Sequence, residues 1–117
     1  MNQPPGTADA AIAAARIHTF GPQGLVEDHA VLLAGGRILE VVPRSRIPEA
    51  VPVLDQGDVD LAPGFVDVQV NGGGGVLFND TPDVDTLRTI AAAHRRFGTT
   101  SLLPTFITDS REKMVAA

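Results

Sequence analysis

The chain has 117 residues, nine Lys+Arg against 14 Asp+Glu, a formal net charge of −5, and no Cys, Trp or Tyr. The absence of cysteine excludes a disulfide scaffold, a thiolate metal centre and a cysteine nucleophile, and the acidic balance offers no basic stripe for a nucleic-acid backbone. At 44% hydrophobic and 20% charged the composition is that of a globular chain with a core. Apolar runs such as Ala10 to Ala15 fall far short of the roughly 20 residues that span a bilayer. No basic-then-apolar leader opens the chain, so the expectation is a cytoplasmic protein with neither nucleic acid nor membrane as partner.

The opening residues, with Pro4, Pro5 and Gly6, oppose regular structure, and residues 1–10 are expected to form a flexible tail. The alanine-rich run that follows favours helix, yet Ile17, Thr19 and Phe20 are β-formers, and Gly21-Pro22 ends whichever element precedes it. The runs Ala30 to Ala34 and Arg37 to Val42, separated only by Gly35-Gly36, predict a hairpin. Pro43, Pro48 and Pro52 leave room for brief strands near Val53-Leu54 and Val59 to Leu61. Residues 11–62 therefore read as part of a small β-sandwich.

After Pro63-Gly64 the pattern changes. Phe65 to Val70 is a β-branched run entering the loop Asn71-Gly72-Gly73-Gly74-Gly75, expected to be a mobile strand-to-helix connection with positive φ. Thr81 is expected as N-cap and Pro82 as first residue of a helix carrying Val84, Leu87, Ile90, Ala91 and His94 on one face, with Gly98 as its stop. Ser101 to Leu103 predicts a short buried strand, and Asp109 with Glu112 has capping-box spacing for a second helix. Strand, helix, strand, helix implies a parallel βαβ unit. Such a unit leaves sheet edges open, so the chain is expected to be the front part of a longer protein.

His18, His29 and His94 are far apart, and none has a second His or carboxylate at metal-motif spacing. Each is expected to be structural, with no metal ligand in this chain. The glycine run lacks the Lys-Ser/Thr ending of a P-loop and does not open a helix directly. Ser45, Ser101 and Ser110 lack nucleophile-elbow surroundings, and no catalytic residue is assigned.

One stretch carries more information: Leu61-Ala62-Pro63-Gly64-Phe65-Val66-Asp67-Val68-Gln69-Val70-Asn71 with the glycines behind it. It resembles the amidohydrolase superfamily, in which a β-rich N-terminal segment leads through a PGF-[IV]-D sequence into the first strand of a (β/α)8 barrel. Most members end that strand in His-x-His. Gln69 and Asn71 stand there instead, as in the N-acetylglucosamine-6-phosphate deacetylase branch, which Phe78-Asn79-Asp80-Thr81 and the run Gly98 to Thr108 also resemble.

The resemblance implies an α/β chain, with residues 63–117 forming the first two βα units of a TIM-type barrel behind the partial sandwich. It implies a full-length deacetylase of N-acetylglucosamine 6-phosphate, a homodimer, with one divalent metal, zinc or iron, held by residues beyond this chain. This chain alone is expected to bind no metal and to be inactive. Carboxamides are poor zinc ligands and better hydrogen-bonders, so Gln69 and Asn71 are expected to line the metal pocket. Gly72, Gly73, Asn79 and Asp80 are expected in a loop near substrate, and Asp67 in a structural hydrogen bond. Two rivals are an amidohydrolase acting on a cyclic amide, for which the absent histidine pair argues poorly, and a noncatalytic β-rich binding module, for which 4% aromatics supply little surface.

Overall fold

The computed structural model describes residues 7–116, which divide into two compact units between Pro63 and Gly64. The first contains strands β1 (Ala10–His18), β2 (Leu25–Ala34), β3 (Arg37–Pro43), β4 (Val53–Asp55) and β5 (Asp60–Leu61), with a 3-10 turn over Arg44–Arg46. The sheet order is β3-β2-β1-β4, and β5 also pairs with β1.

The alanine-rich run resolves as strand β1. Alanine prefers helix in isolation, but β1 is central: antiparallel β2 lies on one edge, and β4 and β5 run parallel on the other, so both rows of backbone groups are used. Small side chains fit this crowded position. Ala11 and Ala13 pack with Ala30, Leu32, Val42 and Val51, while Ala14, Ile17 and Val31 form a separate cluster. Beside this second cluster lies an open apolar groove of about 260 Å³, lined among others by Ile12, Ile17, Val31, Leu33 and Val41.

The expected hairpin is present. Gly35 and Gly36 take φ of 56° and 75°, the paired positive values of a two-residue turn whose twist suits its strands. The tail expected over residues 1–10 is corrected at its end: the Asp9 amide donates to the Leu33 carbonyl, the Gly35 amide donates to the Asp9 carboxylate at 2.7 Å, and Ala10 begins β1. The rest of that tail, residues 1–6, lies outside the described residues.

The second unit contains β6 (Phe65–Val70), β7 (Gly72–Gly73), β8 (Val76–Leu77), helix α1 (Val84–Arg95), β9 (Thr99–Pro104) and helix α2 (Arg111–Ala116). β6 and β9 are parallel neighbours, as the strand, helix, strand order requires. The glycine run, expected as a mobile connection, is instead a minimal hairpin: Gly72 pairs with Leu77 and Gly73 with Val76, and Gly74 and Gly75 turn at positive φ.

The helix starts two residues later than Thr81 and Pro82 suggested. Asp83 is the N-cap, its carboxylate accepting from the Thr86 amide at 2.7 Å, and that bond holds its pKa below the ordinary value. At the other end the Gly98 amide donates to the Arg95 carbonyl with φ at 96°, so the expected glycine stop stands. For α2 the side chain meeting the first turn is that of Ser110, whose Oγ accepts from the Lys113 amide at 3.4 Å, rather than an Asp109–Glu112 box. The strand expected to be buried over Ser101 to Leu103 is longer, and Ser101 and Leu103 are exposed, because among the described residues α1 is the one helix packed on this strand pair. No helix among the described residues is long and apolar enough to cross a membrane.

Candidate active-site rim at the ends of two parallel strands

β6 and β9 run the same way, so the segments leaving them, Asn71 onward and Thr105 onward, lie together at their C-terminal ends. This is where loops of parallel α/β sheets gather ligands. Backbone pairing carries the strands to that edge: the Thr105 amide donates to the Val70 carbonyl at 2.8 Å. Val70 is buried there.

Asn71 is half-buried, and its Nδ2 donates to the Thr105 carbonyl at 3.0 Å while its own carbonyl accepts from the Phe78 amide. Gln69 is exposed, and its carboxamide has no hydrogen-bond partner among the described residues. The two residues, Gln69 within β6 and Asn71 just past its end, are thus in different situations. The β6–β9 register is irregular between Asp67 and Val70. There the Gln69 amide donates to Asp67 Oδ1 at 3.1 Å, a bond within the strand's own segment.

The glycines serve close packing. A Cβ on Gly72 would come within 2.5 Å of the Val76 carbonyl oxygen, and one on Gly73 within 2.9 Å of His94 Nε2. His94 reaches from α1 and its Nε2 donates to the Gly72 carbonyl at 3.0 Å, tying the helix to the hairpin. Asn79 has both ends of its carboxamide engaged: Nδ2 donates to the Ile107 carbonyl at 2.7 Å, and Oδ1 accepts from the Ile107 amide at 2.8 Å. Asp80 is exposed and stands near enough to Lys113 to favour its charge.

Asp109 joins the same cluster. Its carboxylate accepts from the Ser110 amide at 2.7 Å, from Lys113 Nζ at 3.0 Å and from Asn79 Nδ2 at 3.4 Å, which together hold its pKa below the usual carboxylate range. The spacing of Asn79 and Asp109 in the chain, 30 residues, gives no sign of this pairing.

A metal does not fit these residues. His18 bonds to Asp60, His29 Nδ1 to the Glu27 carbonyl and His94 to Gly72, at three separate places. Among the described residues no group of three His, Asp or Glu side chains is placed to hold an ion. What these loops offer is hydrogen bonding, with the segment after β6 tied to the segment after β9.

No family model matches the chain. It is 60% identical over 57 residues to an N-acetylgalactosamine-6-phosphate deacetylase of Shewanella sp. (strain ANA-3), covering 49% of this chain and 14% of that protein. It is 38% identical over 93 residues to an N-acetylglucosamine-6-phosphate deacetylase of Haemophilus influenzae, covering 80% of this chain and 24% of the relative. The crystal structure of N-acetylglucosamine-6-phosphate deacetylase from Pasteurella multocida superposes with a TM-score of 0.81 at 36% identity, over 91% of this chain and 27% of that one. The chain matches the N-terminal portion of the N-acetylhexosamine-6-phosphate deacetylases, in the amidohydrolase superfamily. It spans about a quarter or less of these relatives' length.

Proposed function

We propose that this chain is the N-terminal part of a deacetylase that hydrolyses the acetamide of an N-acetylhexosamine 6-phosphate, with N-acetylglucosamine 6-phosphate as the principal substrate. The amide C–N bond breaks, water supplies hydroxyl to the acetyl carbon and a proton to the nitrogen, and acetate and the amino sugar phosphate leave. The observation that carries the reading is the similarity of sequence and fold to deacetylases of this kind over most of the chain. The carboxamides at 69 and 71, where most of the superfamily has histidines, support the same branch.

In this reading residues 63–117 are the first two βα units of a (β/α)8 barrel and residues 11–62 are part of a small sandwich. The parallel β6–β9 pair and the two-unit division support that arrangement. Gln69 faces the substrate pocket, Asn71 frames it, and Gly72, Gly73, Asn79 and Asp80 build its rim. Among the described residues no group of three His, Asp or Glu side chains is placed to hold an ion, and the divalent ion of the whole enzyme, zinc or iron, is proposed to take its ligands from elsewhere in that enzyme. The whole enzyme is proposed to be a cytoplasmic homodimer, and residues 1–117 alone to be inactive.

The test is acetate release from the glucosamine and galactosamine substrates, measured on this chain and on its reading frame extended to the next stop codon, with zinc or iron supplied. Release by the extended protein alone supports the proposal, and the faster substrate identifies the hexosamine. Release by neither refutes it. Release by residues 1–117 would show that the catalytic groups lie within this chain.

A further inference from the structure

The two asparagines at the strand ends hold one loop to another. Asn71 Nδ2 binds the Thr105 carbonyl, and eight residues later Asn79 binds both backbone groups of Ile107, much as a β-ladder neighbour would. Between them Phe78 meets Phe106 edge to face, with centroids 6.4 Å apart and planes at 80°. Asn79 also reaches Asp109, which accepts from Ser110 and Lys113 at the start of α2. The loop after β6 and the loop after β9 are therefore fastened as one piece, at the edge where substrate is proposed to bind. Asn79 closes that frame with one donor and one acceptor, at 2.7 and 2.8 Å from the two backbone groups of one residue.

We infer that Asn79 is a positioning residue of the deacetylase, fixing the segment Thr105 to Asp109 at the rim of the site without touching substrate. The inference rests on the deacetylase reading above. A loosened rim costs binding and alignment of substrate more than it costs folding, since small displacements of positioning elements lower rates by large factors.

The experiment uses the full-length enzyme and compares Asn79→Ala and Asn79→Asp with the parent. Asn79→Ala removes both bonds to Ile107. Asn79→Asp keeps the acceptor for the Ile107 amide but loses the donor and sets a carboxylate beside Asp109. Expected for Asn79→Ala is a KM about tenfold higher with kcat reduced about threefold or less, fast hydrogen exchange at the Ile107 amide, and a melting temperature within a few degrees of the parent. Asn79→Asp is expected to retain Ile107 protection and to raise KM by a smaller factor, which a general loss of folding would not produce. If Asn79→Ala exposes the Ile107 amide yet leaves KM unchanged, or if both variants lose activity only in proportion to loss of folded protein, the positioning role is wrong. Should the parent enzyme itself release no acetate, the deacetylase reading falls and this role falls with it.

Discussion

Gln69 and Asn71 illustrate what a residue pattern contains and what it omits. Their identities and alternation placed both at the end of a strand, and β6 does end there. That Asn71 would turn to the Thr105 carbonyl and Gln69 would stay unpaired depends on a segment 34 residues away and on a local irregularity at Asp67. The glycines behave similarly. Positive φ at Gly74 and Gly75 was expected of any glycine loop, but the need for Gly72 comes from the Val76 carbonyl oxygen, 2.5 Å from where a Cβ would stand. Gly72→Ala is accordingly expected to destabilise the second unit by about 1–3 kcal/mol, through overpacking against backbone. Gly21→Ala, where the nearest atom is 3.8 Å from the added carbon and φ is not positive, should change little. Urea unfolding of the two variants beside the parent measures the difference.

Among the elements, the hairpin β2–β3 and helix α1 were legible because their signals are local: two glycines at a turn, and apolar spacing ended by Gly98. The caps fall one or two residues past the expected positions, since Thr81, Asp83, Asp109 and Ser110 are all competent caps and Asp109 is engaged by Asn79 and Lys113. β1 was ambiguous because its strand character comes from neighbours on both edges, and one of those, β4, lies some 40 residues along the chain.

Distant charges help to fasten it. Arg44, in the 3-10 turn after β3, pairs with Asp28 of β2 at 3.4 Å and binds both carboxylate oxygens of Asp55 at the end of β4. Together with the Gly57 amide, Arg44 holds the Asp55 carboxyl down to about 2, from an ordinary 3.8. A depressed folded-state pKa adds stability that is present above the unfolded value and is lost as pH falls through the folded one. Stability of the first unit should therefore decline between about pH 4 and pH 2, and Arg44→Ala or Asp55→Asn should flatten that decline. Midpoints of urea unfolding across this pH range test the expectation; an unchanged slope in both variants would count against it.

Viewed whole, the chain leaves much apolar surface in water: Phe65, Val66 and Val68 of β6 are 66%, 64% and 71% exposed, and Ile38 and Leu54 of the first unit are 69% and 60% exposed. Surface of this kind marks contact with further protein. Produced by itself, residues 1–117 should bind a hydrophobic dye strongly and unfold with weak cooperativity, whereas the extended protein should bind little dye and unfold sharply. Dye fluorescence and thermal circular dichroism on the two proteins make that comparison, and a sharp, dye-silent transition in the short chain would contradict it.

The position of β1 between an early neighbour and two late ones bears on how the protein is made. As the chain leaves the ribosome, β1 to β3 can pair by hairpin contacts as soon as Pro43 has emerged. The other edge of β1 must wait for Val53 to Leu61, and β6 must wait for the whole of α1 before β9 arrives. During translation the edge of β1 that β4 and β5 later cover is thus an unpaired row of backbone donors and acceptors, open to a foreign strand until Val53 to Leu61 has been made. Exposure of that edge lasts only for the synthesis of about 20 further residues, a short interval in which a partly made chain is prone to pair wrongly.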